Sequence, residues 1–101
     1  MGSRIKLQSI LEELLGSENV YYQPPKNIMM SYPAIMYFKK KPSIDRANDS
    51  LYKKTNCYEV FVIDKKADNP VIDKLLYLPY CSFDRPYKSD NLYHDVFTLY
   101  Y

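Results

Sequence analysis

The chain predicts an α+β fold: a mixed or mainly antiparallel sheet of about four strands packed against two helices, in the order α-β-β-β-α-β, with a long β-hairpin loop. Three observations predict it. The opening segment has helical apolar spacing, three later segments alternate or run apolar as strands do, and a capped apolar stripe lies between the last two of them. At 101 residues the chain is long enough for one modest core, so 1–101 is read as a single domain.

From Arg4 to Leu15, the residues Leu7, Ile10, Leu11 and Leu14 recur at i, i+3, i+4 and i+7, the signature of one helical stripe, with Ile5 and Leu15 widening it. Ser3 suits the N-cap and Gly16 the left-handed residue that ends the helix. Residues 19–23 are short and β-prone, and Pro24-Pro25 ends them by removing two backbone donors. The next strand, over 31–39, is nearly continuous apolar sequence (Tyr32, Ala34, Ile35, Met36, Tyr37, Phe38), with Pro33 near its beginning or on an edge.

The polar, turn-rich stretch that follows sits between two convincing strands and reads as a hairpin loop at 40–50. Loops of that length in compact domains are uncommon and tend to be functional or flexible. The strongest strand runs from Tyr52 to Asp64, with Tyr58, Val60 and Val62 on one face and Glu59, Phe61 and Ile63 on the other, which predicts a central place in the sheet. Asp68 or Asn69 caps a second helix whose first turn accepts Pro70; Val71, Ile72, Leu75 and Leu76 form its apolar side, and Pro79 stops it. A short extended piece at 80–83 and a turn-rich link at 84–91 lead to a final strand from Leu92 to Tyr101. Termini fray unless tied down, so a chain ending in Val96, Phe97, Leu99, Tyr100 and Tyr101 implies a docked last strand.

Composition narrows the function classes. A net charge of +2 is too small for a phosphate-tracking surface, and the clusters Lys39-Lys40-Lys41, Lys53-Lys54 and Lys65-Lys66 read as solvated strand ends. No Lys/Arg-Gly-Phe pattern of an RNA-stacking platform occurs. Twelve tyrosines without a tryptophan favour an interaction protein, because a tyrosine ring suits surfaces buried only when a partner arrives. No apolar run approaches membrane-spanning length and the start lacks a secretory h-region, so the expected protein is soluble at synthesis, with no membrane partner.

Little in the sequence points to catalysis. His94 is the sole histidine, flanked by Tyr93 and Asp95 on the opposite strand face, and nothing local positions a nucleophile beside it. Cys57 and Cys81 lack metal-type spacing; they suit small buried hydrophobes in a reducing compartment, and the spacing leaves a disulfide between them open. Asp84, Asp90 and Asp95 lack the glycine and alternation of a calcium loop. With Gly2 and Gly16 alone, no glycine-rich phosphate cradle exists. The reading is a non-enzyme without cofactor or metal.

Four segments carry a resemblance: Leu-Glu-Glu-Leu-Leu-Gly-Ser at 11–17, Val-Tyr-Tyr-Gln-Pro-Pro at 20–25, Met-Ser-Tyr-Pro-Ala-Ile at 30–35 and Asn-Leu-Tyr-His-Asp-Val-Phe at 91–97. With the element order, they make nearly the whole chain resemble the tail terminator, or tail completion, proteins of long-tailed bacteriophages. The resemblance implies a subunit of a hexameric ring that caps the tail tube, stops its elongation and presents the surface bound by the head-side connector or head-closure protein. It implies a place in the virion tail or neck, assembled in the bacterial cytoplasm, and brings no catalytic residues. A head-closure or adaptor protein of the phage neck, and a generic intracellular protein- or RNA-binding module, are the alternatives.

A ring needs a contact between two different patches of each subunit. The hairpin loop supplies the candidates Lys39, Lys40, Lys41, Ile44, Asp45, Arg46 and Asn48; the last strand supplies Tyr93, His94, Tyr100 and Tyr101. Of that strand, either the Tyr93, Phe97, Tyr101 face or the His94, Thr98, Tyr100 face is left for a neighbour.

Overall fold

The structure is a computed structural model that describes residues 4–25, 28–40, 56–79 and 81–101. Helix α1 spans Arg4–Leu15. It is followed by β1 (Val20–Tyr22), β2 (Ala34–Lys40), β3 (Cys57–Asp64), α2 (Val71–Leu76), β4 (Cys81–Ser89) and β5 (Leu92–Tyr100). The strands form one five-stranded mixed sheet in the order β1-β2-β3-β5-β4, with β1 parallel to β2 and every other neighbour antiparallel. The α+β class and the central place of β3 are as the sequence predicts.

Both helices lie on one side of the sheet. Leu7 and Leu11 of α1 and Val71 and Leu75 of α2 are buried against Ile35, Tyr37, Tyr58, Val60, Val62, Phe97 and Leu99, all from alternate positions that point to that side. Burying a leucine such as Leu7 or Leu11 fully contributes roughly 1.5–3 kcal/mol. Ile5 does not widen the stripe: it lies ~200° around the helix from Leu7 and is 71% exposed. Leu76 is likewise exposed, so α2 buries Val71 and Leu75, with Ile72 partly covered.

Polar bonds fix where α1 sits. The Tyr37 hydroxyl, at the centre of the core, donates to Gln8 Oε1 (2.5 Å), and Gln8 Nε2 donates to the backbone carbonyl of Val20 (3.0 Å). One amide thus satisfies a buried phenol and ties α1 to β1. Burial pushes the Tyr37 hydroxyl above its ordinary value, and Arg4, whose guanidinium lies 4.5 Å from the Tyr22 ring centre, pulls it back. Gly16 ends the helix with φ 79°, its N–H and that of Ser17 both reaching the Glu12 carbonyl at 2.8 and 3.2 Å.

Of the two capping candidates for α2, Asn69 takes the role. Its Oδ1 accepts from the Val71 N–H (2.8 Å) while its Nδ2 donates to Asp64 Oδ2 (2.6 Å), so the end of β3 and the start of α2 share one buried side chain. Pro70 already has helical dihedrals, which its ring favours.

The sequence reading departs from the structure at 81–91. The short extended piece and the link are one nine-residue strand, β4, joined to β5 by a two-residue turn in which Asp90 and Asn91 have φ 53° and 63°. Both positive angles mark the type I′ turn that matches hairpin twist. β4 hides because it is an edge strand: all but Cys81 are exposed, Pro86 needs no ladder donor there, and a bulge places Asp84 as an extra residue between Phe83 and Arg85. The final strand is tied down as expected, but in the interior, between β3 and β4, and Tyr101 exchanges both backbone bonds with Asn56 (2.9 and 3.1 Å). β2 and β3 pair antiparallel from Lys40↔Cys57 to Ala34↔Ile63; the expected loop between them lies outside the described residues.

Two substitutions check these contacts. Nothing lies within 4 Å of a methyl group built on Gly16, so Gly16→Ala should cost only the left-handed backbone term, about 1 kcal/mol in urea unfolding. Tyr37→Phe should cost about 1 kcal/mol or more, because it leaves Gln8 without its buried donor; an unchanged midpoint would show that this bond contributes nothing.

Candidate functional site

With both helices on one side, the opposite face of the sheet is built by the other alternation. It carries Met36 and Phe38 of β2, Glu59 and Phe61 of β3, His94, Val96, Thr98 and Tyr100 of β5, and Ser82, Arg85 and Tyr87 of β4. On this face Val96 is buried, Phe38, Phe61, His94, Thr98 and Tyr100 are half-buried, and Ser82, Arg85 and Tyr87 are exposed.

The side chains are ordered by contacts with one another. Phe38 and Phe61 meet edge to face, with ring centres 5.9 Å apart and planes at 87°. Tyr87 and His94 stack across β4 and β5 at 4.5 Å and 13°. His94 Nδ1 lies 3.1 Å from the Leu92 carbonyl, which can only accept, so this bond places the ring proton on Nδ1. Arg85 donates to Asp84 Oδ2 at 2.7 Å and stands 3.9 Å from Glu59 Oε2. An ion pair this exposed adds little stability; its effect is to orient the guanidinium and neutralise Glu59. Burial raises the Tyr87 hydroxyl above its ordinary value, with Arg85 opposing and Glu59 adding to the shift.

At one side of this face the β1–β2 connection crosses over the sheet. Between it and the strands lies an apolar cleft of about 510 Å³, lined by Pro24, Ile28, Met30, Met36, Phe38 and Ile63 among others. Met29 on the same connection is 93% exposed. Two smaller clefts lie elsewhere. One, of about 390 Å³, sits around Asp64, Asn69 and Lys74; the other, about 220 Å³ and apolar, lies among Leu7, Ile10, Leu99 and Tyr101.

The sequence-predicted contact residues divide between the two faces. His94 and Tyr100, with Thr98, fall on the helix-free face, which decides between the two alternatives for the last strand; Phe97 is in the core. Tyr93 and Tyr101 point to the helix side, where Lys88 Nζ lies 5.0 Å from the Tyr93 ring centre and Tyr101 packs against the core. Lys39 and Lys40 are exposed at the end of β2, while Lys41, Ile44, Asp45, Arg46 and Asn48 lie outside the described residues. Sequence reading does not place Arg85 and Tyr87 on this face, since 84–91 reads as a link. The signal that finds them is Asp90-Asn91, a two-residue hairpin turn that turns the preceding stretch into a strand.

The cysteines and the histidine are not brought together. Cys57 pairs with Tyr100 and shares its face, whereas Cys81 pairs with Leu99 and points to the helices, so the sheet separates the two thiols and both are free. His94 lies six residues along β5 from the Cys57 row, about 20 Å away. Asp95 faces the helix side, its carboxyl raised by burial with His94 opposing. Comparison with protein-family models, curated proteins and solved structures finds no match in any of the three.

Burial pushes the Cys81 thiol from an ordinary 9.0 up to about 11. The folded protein should therefore show about 100-fold less thiolate at Cys81 than a free thiol at pH 8, and iodoacetamide should label it correspondingly slowly until urea is added. Because the unfolded thiol ionises first, stability at this site is fully present below pH 9 and is lost as pH rises toward about 11. Equal labelling rates with and without urea would contradict this environment.

Proposed function

We propose that this chain is a non-catalytic assembly subunit that joins protein surfaces through the helix-free face of its sheet. In its specific form it caps a phage tail tube, as part of a ring that stops elongation and receives the head-side connector. One observation carries the general reading: across four strands the face presents Phe61, Arg85, Tyr87 and His94, with Met36 and Phe38 beside the β1–β2 connection, no described helix covers them, and Arg85 and Glu59 pair within the chain. Aromatic, Met and Arg side chains with few unpaired charges are the composition of interface centres.

The specific role rests on the resemblance. Segments that carry it also build this face: Pro24, Pro25, Met30 and Tyr32 line the cleft, and His94 and Val96 lie on β5. An open sheet backed by two helices, rather than a barrel, favours a terminator over a head-closure protein. The balance of acidic and basic groups on the face favours a protein partner over RNA, whose phosphates need a basic excess.

Native mass spectrometry of the chain alone and with tube protein, with tube lengths read by electron microscopy, tests the proposal. The expected result is a ring on tube ends and tubes of limited length, with Phe61→Glu abolishing both while the circular dichroism spectrum is kept. A chain that stays monomeric with tube protein and leaves tube growth unchanged would overturn it.

A further inference from the structure

We draw no further inference here: the strongest candidate, the apolar cleft of about 510 Å³ between the β1–β2 connection and the helix-free face of the sheet, belongs to the site already described, and nothing in the structure shows what covers it.

Discussion

The structure depends on one imbalance: five strands have two faces to cover, and the described helices cover one. Each strand must therefore satisfy two environments at once, and alternation lets it do so. In β3 the positions Tyr58, Val60 and Val62 complete a core with Leu7, Leu11 and Leu75, while Glu59 and Phe61 stand on the other side among residues of their own chain. The side chains on the uncovered face do what a helix would otherwise do. Ala34, Ile63 and Val96 are buried on this face, Ile63 beside the cleft that the β1–β2 connection forms with Met36 and Phe38.

The covered side is held by position-specific polar bonds as well as by apolar area. Apolar packing alone tolerates sliding, since it is non-directional. Gln8 removes that freedom: it must reach the Tyr37 hydroxyl and the Val20 carbonyl together, which sets both the depth and the rotation of α1. Asn69 performs the same task for α2 by binding Asp64 and the Val71 N–H at once. Because the helices cannot shift, the β1 edge stays closed and both helices stay on one side of the sheet.

Much of this was legible in the sequence, and the rest was hidden for identifiable reasons. Period 3.6 at Leu7, Leu11 and Leu14 and period 2 at 58–63 are direct records of burial, so α1 and β3 were readable. β4 was not, because an exposed edge strand has no burial pattern to record; its only local mark was the positive-φ pair Asp90-Asn91. That omission also concealed part of the candidate site, since Arg85 and Tyr87 sit on β4. His94, Thr98 and Tyr100 were readable as one face of β5, but which face was free depended on where α1 and α2 land, and a single strand carries no information about that. Ile5 shows the converse error: an apolar residue near a helical stripe is not thereby part of it.

The same arrangement limits how the chain can associate. Open sheet edges propagate, because each added strand presents a new edge, and the outcome is a fibre. Here Gln8 occupies one edge, while Pro86 and the Asp84 bulge disrupt the other, so main-chain pairing does not continue beyond five strands. A contact through the face adds no new strand edge. With Glu59 and Asp84 neutralising Arg85 from within the chain, long-range attraction contributes little to such a contact. Selectivity then falls to the shape of the Phe38–Phe61 and Tyr87–His94 pairs, whose fixed ring geometry accepts a complementary surface and rejects a merely apolar one.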